Sequence, residues 1–126
     1  MIIQEGLDAL QKAELIPDDV YTVKILAVKD VKMPTYNNKQ GCVAKCEIVA
    51  ADDPANNVPE IQGRLIDYWL VGRSPKGLRL LLAHLDLTMD ALKGDTANLA
   101  GLTFKGRISS WEDPKDEEWK NQLNPL

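Results

Sequence analysis

Few residues in this chain could do covalent chemistry. There is one histidine, His84, set among leucines at helical spacing, where a satisfied boundary residue is the ordinary reading. No HExxH, P-loop, GxSxG or GxGxxG pattern occurs. Cys42, Cys46 and His84 lack any metal-ligand spacing. Asp52, Asp53 and Glu60 could bind Mg²⁺ in a nuclease, but they lie in a Pro/Asn-rich stretch where acids serve solvation. Cys42 and Cys46 are four apart in a β-like run. They share a face about 13 Å apart, too far for a disulfide. They read as reduced core residues. The chain is therefore expected to bind and not to catalyse, with no cofactor and no metal.

Residues able to grip an anionic strand are better represented. Lys24, Lys29, Lys32, Lys39 and Lys45 fall between positions 20 and 47, against only Asp30 and Glu47. Arg64, Arg73, Lys76 and Arg79 fall between 63 and 79, against Asp67 alone. The net charge of −4 and pI near 4.9 argue against a simple basic nucleic-acid binder. The negative charge gathers at the two ends and around residues 52–60, which leaves two cationic interior blocks. Aromatic residues are interleaved with them. Binding of single strands needs such a pairing: cations along the phosphates and aromatic faces for the bases. The candidate contacts are Lys24, Lys29, Lys32, Tyr36, Lys39, Lys45, Arg64, Trp69, Lys105, Arg107 and Trp111.

Those residues need elements to hold them. Val20 to Met33 alternates as a strand, with Tyr21, Val23, Ile25 and Ala27 on one face. Its phase blurs at Leu26 and Val28, which predicts a bulge or bend. Pro34 to Gly41 is a turn by composition, carrying Tyr36 at its tip. Cys42 to Ala50 is the second strand, with Cys42, Ala44, Cys46 and Ile48 inward. A polar loop follows, then a third strand from Arg64 to Val71. There Ile66, Tyr68 and Leu70 face the core, and Leu65, Asp67 and Trp69 face out. Ser74 and Pro75 predict a helix start, as N-cap and first residue. Leu78, Leu81, Leu82 and Leu85 form one apolar stripe, ending near Leu87. Thr88 to Lys93 adds a further turn closed by Gly94. Leu102 to Trp111 is the fourth strand, with Phe104 and Ile108 inward and Lys105, Arg107 and Trp111 outward. Trp119 to Leu123 forms a short last strand. The spacing of Leu7 and Leu10 predicts a short amphipathic helix over residues 5–14.

The order β-β-β-α-β-(β) in 126 residues describes one all-β domain with one helix. It is the element order of an OB-fold, a five-stranded Greek-key barrel. The single domain spans 1–126, with a short N-terminal extension (1–17) and an acidic segment (112–126). That segment reads either as a partner-recruiting tail or as a loop before a final strand, and Trp119 and Leu123 favour the loop. No apolar run approaches the ~20 residues that cross a bilayer, and no secretory signal is visible. The expected location is the cytoplasm, with no membrane contact.

Several stretches resemble phage-encoded OB-fold proteins. These are small proteins encoded beside recombination and replication genes and thought to bind single-stranded DNA. The resemblance is carried by Pro17-Asp18-Asp19-Val20-Tyr21-Thr22-Val23-Lys24-Ile25 at the entry to strand 1, and by Asn38-Lys39-Gln40-Gly41 at the first turn. It continues in Gly63-Arg64-Leu65-Ile66, the Leu78–Leu85 helix, Leu99-Ala100-Gly101-Leu102-Thr103-Phe104, and Asn121-Gln122-Leu123. It implies single-stranded DNA as the partner, in phage replication or recombination within the host cytoplasm. It also admits homo-oligomers, and replication proteins recruited by the acidic segment. The competing class is an OB-fold module that docks a protein partner, which the negative net charge favours.

Overall fold

The computed structural model describes residues 15–33 and 39–126. Tyr36 and the 5–14 segment lie outside the described residues. Five antiparallel strands form one sheet in the order β3-β2-β1-β4-β5. They are β1 (Asp19–Met33), β2 (Lys39–Ala51), β3 (Leu65–Val71), β4 (Thr103–Glu112) and β5 (Trp119–Pro125), with one α-helix, α1 (Lys76–Leu85), between β3 and β4. The fold is mostly antiparallel β with a single helix. The sheet coils until Cα atoms of its two edges, β3 and β5, come within 8 Å of each other, with no ladder between them. Among the described residues, no helix is long and apolar enough to cross a membrane.

The phase break in β1 is a bulge, one of two in the β1–β2 ladder. Ile25 pairs with Cys46 and Ala27 with Lys45, so Leu26 is the extra residue and points outward. Thr22 pairs with Ala50 and Val23 with Ile48, which leaves Val49 extra on β2. A bulge adds local twist and bends the strand. The first half of β1 also pairs with β4, from Asp19↔Ile108 to Lys24↔Thr103. Beyond the Leu26 bulge β1 pairs with β2 alone, out to Met33↔Lys39.

Inward residues fill the space that this curvature encloses. Tyr21, Val23, Ile25, Ala44, Cys46, Ile48, Ile66, Tyr68, Leu70, Leu81, Phe104 and Ile108 are buried, as their alternation predicts. Leu99 and Leu123 join them from a 3-10 turn and from β5. Ile16 is also buried, tied in both directions to the Asn121 side chain at 2.9 Å. The buried hydroxyls have partners. Tyr21 donates to the Pro17 carbonyl and Tyr68 to the Gly77 carbonyl, both at 2.7 Å. Burial pushes both phenols up to about 12. Both cysteines are buried and free, and burial pushes the Cys46 thiol up to about 12, so it stays an unreactive core thiol.

Two details of the helix depart from expectation. It starts at Lys76, after Pro75, so Ser74 is not its N-cap; the Ser74 hydroxyl accepts from the Lys76 N–H at a long 3.4 Å. Only Leu81 of the leucine stripe is fully buried, while Leu78, Leu82 and Leu85 are half-buried, because one side of α1 covers the end of the sheet. Thr88 to Lys93 forms the expected further turn: the Thr88 hydroxyl accepts from the Ala91 N–H at 3.3 Å, and Gly94 closes it at φ +73°. Asp86 ends α1 in the left-handed region, its N–H reaching the Leu82 and Ala83 carbonyls.

Gly77, an apparent weakness near the helix start, has a reason. A Cβ there would collide with the Trp69 carbonyl of β3. The absent side chain lets α1 lie directly on the strand that carries Trp69. Alanine normally favours a helix by about 1 kcal/mol over glycine. Here the collision, with backbone that cannot yield, outweighs that gain. Gly77→Ala is expected to lower stability by about 1–3 kcal/mol in urea unfolding. A rise in the unfolding midpoint would contradict this contact.

Candidate nucleic-acid interface

The outer face of β2 and β3 is laid down in cross-strand rows. Lys29, Val43 and Trp69 make one row, and Ala27, Lys45 and Asp67 the next. The Leu26 bulge brings Lys29 into the first row. Val43 is buried although it lies on the outer face, between Lys29 and Trp69 in its row. The Trp69 ring lies over Gly41: a Cβ at Gly41 would stand 3.1 Å from the ring, 3.1 Å from the Met33 sulfur and 2.9 Å from the Val71 carbonyl oxygen. The indole is thus seated on β2 and remains 49% exposed. It serves both as packing and as open surface.

A groove of about 1300 Å³ runs from this face across the gap between the β3 and β5 edges. Five of the residues expected from sequence line it: Lys29, Lys45, Arg64, Trp69 and Trp111. Trp111 is 41% exposed and pairs across the ladder with Lys120. Sequence reasoning missed Lys76 and Lys120, the apolar Leu26, Leu65 and Leu80, and the β5 amides. The outward phase of β5, Lys120, Gln122 and Asn124, was visible in the alternation. That β5 would close one wall of a groove opposite β3 was not.

Other expected residues lie elsewhere. Lys24, Lys32, Lys39, Lys105 and Arg107 do not line the groove. Lys39 donates to the Arg73 carbonyl at 3.4 Å. Lys105 pairs with Asp52 at 3.2 Å. Arg107 faces Asp19. Desolvation pushes the Asp19 carboxyl up, but hydrogen bonds from Asn56, Asp53 N–H and Val20 N–H, with the Arg107 charge, outweigh it and hold it below its usual range. Lys24, Lys29 and Lys32 form no ion pair among the described residues.

Two groove cations already hold carboxylates. Lys45 meets Asp67 at 2.9 Å. Lys120 meets Asp113 at 2.9 Å and Asp116 at 3.0 Å. The acidic segment therefore folds: its 113–118 turn closes on Lys120, and residues 119–125 pair with β4. Among the described residues, no cluster of His, Cys, Asp and Glu could hold a metal ion. No family model matches the chain, and neither a curated protein nor a solved structure matches it.

The Lys120 cluster sets a pH response. Asp113 is held below 3.8 first by the Lys115 N–H and then by Lys120. Asp116 is held below it first by Lys120 and then by the Glu118 N–H. A depressed carboxylate pKa adds stability that is complete above the unfolded value and is lost as pH falls through the folded one. The turn should therefore stay intact at neutral pH and loosen only below about pH 4. Carboxyl NMR titration should give both midpoints below 3.8. Lys120→Met should return Asp116 towards its ordinary value more fully than Asp113. Equal return of both would contradict the assignment.

The seat of Trp69 is also testable. Gly41→Ala should displace the indole and shift its fluorescence emission, with a loss of about 1–3 kcal/mol from overpacking. Unchanged emission and stability would mean that Trp69 does not rest on Gly41.

Proposed function

We propose that this chain is an OB-fold protein that binds single-stranded DNA without strong sequence preference, and that it is not an enzyme. The bound strand runs along the groove between the outer β2–β3 face and β5. One observation carries the reading: two half-exposed indoles, Trp69 and Trp111, line the same groove as Lys29, Lys45, Arg64, Lys76 and Lys120. Indole faces stack bases and ammonium groups track phosphates. The strand order β3-β2-β1-β4-β5, with a helix between β3 and β4, supports the OB assignment, since it is that barrel's order opened between strands 3 and 5. The resemblance to phage OB-fold proteins supports a role in replication or recombination in the host cytoplasm, alone or as a homo-oligomer.

A second reading, an OB-fold module that docks a protein partner, draws support from Leu65. It is 64% exposed and sits in the same groove.

Titration with fluorescent oligo-dT separates the two. The single-strand reading expects binding at low salt and weaker binding to duplex. Stacking is worth ~1–3 kcal/mol per base, so Trp69→Ala should weaken oligo-dT binding about 5- to 150-fold. Lys29, which forms no ion pair among the described residues, should contribute one phosphate contact. Lys29→Gln should flatten the log–log salt slope by about 0.7. Absence of any shift with oligo-dT at low salt would leave the docking module as the function.

A further inference from the structure

Beyond the Leu26 bulge, β1 is open along one side. Its ladder with β4 ends at Lys24, and the Ile25 N–H and carbonyl make the last bonds on that side, to Leu102 and Gly101. From Ala27 to Met33 the strand pairs with β2 alone. Among the described residues, no backbone hydrogen bond reaches this stretch from any other segment. Such an edge presents unpaired N–H and C=O groups to any strand that can lie beside it. Edges are commonly guarded by charge, and Lys29, Asp30 and Lys32 stand exposed on this one. None of the three forms an ion pair among the described residues. Asp30 and Lys32 share one face of the strand, opposite Cys42 and Gln40. Lys29, Val31 and Met33 share the other, opposite Val43, Gly41 and Lys39.

We infer that this edge binds a second copy of the same chain, the two stretches pairing antiparallel about a two-fold axis at Val31. A two-fold interface uses one patch on both copies, so the patch must complement itself. With the axis perpendicular to the sheet, residues of like face stand opposite each other. Centred on Val31, the pairing sets Asp30 against the partner's Lys32, and Lys32 against the partner's Asp30. No other centre within the stretch sets unlike charges opposite each other. Centres at Lys29, Asp30 or Lys32 set a charge against its own copy. Opposite charges across a ladder stabilise it and like charges disrupt it. The charges that guard the edge against foreign strands thus select a second copy in one register. On the other face Val31 meets the partner's Val31, and the aliphatic stem of Lys29 lies beside the partner's Met33. The two outer faces, each with its groove, then lie on one side of the joined sheet. The inference assigns a surface to self-association and holds whether or not the groove takes a single strand.

Sedimentation equilibrium of the full chain at low salt, without nucleic acid, tests this. One short ladder is a small interface, so association should be weak. The apparent mass should rise from one chain's 14.0 kDa towards that of two as loading goes from micromolar to near-millimolar. Asp30→Lys sets lysine against lysine at both pairs, and Lys32→Asp sets acid against acid. Each should weaken association about 5- to 100-fold. Both positions are exposed, so neither change disturbs the core. An equimolar mixture of the two variants sets lysines of one chain against acids of the other, and should associate about as tightly as the wild type. Recovery on mixing requires both variants to be folded and the Val31 register to be right. A wild type that keeps the mass of one chain at every concentration would overturn the inference. So would association that survives either variant unchanged, or a mixture no tighter than its components.

Discussion

A strand of fifteen residues that must serve two neighbours has to bend, and β1 is that strand. Asp19 to Lys24 pair with β4, and Tyr21 to Met33 pair with β2. The Leu26 bulge lies where the β4 pairing ends. There the Ile25 N–H turns to the Leu102 carbonyl, and the Gly101 N–H to the Ile25 carbonyl. The bend curls the sheet until β3 and β5 approach. It also resets the side-chain phase, so that Lys29 stands in the Trp69 row. Core and groove are thus two consequences of one backbone constraint: the concave side collects the apolar residues, and the gap between the edges becomes the groove.

The chain reconciles a net charge of −4 with a cation-lined groove by segregation. Lys105 and Arg107 face Asp52 and Asp19 at the far side of the sheet, where they neutralise acids. Within the groove, Lys45 and Lys120 are held by carboxylates, which fixes long side chains that would otherwise lose rotamer freedom on binding. Surface pairs of this kind add little to stability. If the groove takes a strand as proposed, their larger effect is on its anion affinity, because a phosphate would compete with the carboxylate already there.

Much of the scaffold was legible in the sequence because its signals are local. Ile66, Tyr68 and Leu70 alternate with Leu65, Asp67 and Trp69 strictly enough to fix both faces of β3. The crowding of apolar residues at Leu26 and Val28 marked the bulge. The site was legible only in part, because its geometry depends on cross-strand register. Nothing local says that Lys45 stands opposite Asp67, that Trp69 lies over Gly41, or that Lys105 is occupied by an acid 53 positions away. Gly77 misleads for the same reason: as a helix residue it is a small cost, and only the approach of β3 explains it. Lys120 was hidden inside an acidic run, and the fold turned two of that run's acids into its partners.

In the proposed reading a single strand lies between β3 and β5, on the two indoles of the groove. The most direct measurement is an NMR titration of the labelled full chain with oligo-dT, following the tryptophan indole N–H signals and the backbone amides. A strand in the groove should give large shifts at the Trp69 and Trp111 indoles and along β2, β3 and β5, with the amides around Lys105 and Arg107 unmoved. Shifts confined to the Lys105–Arg107 side, with both groove indoles unchanged, would contradict it.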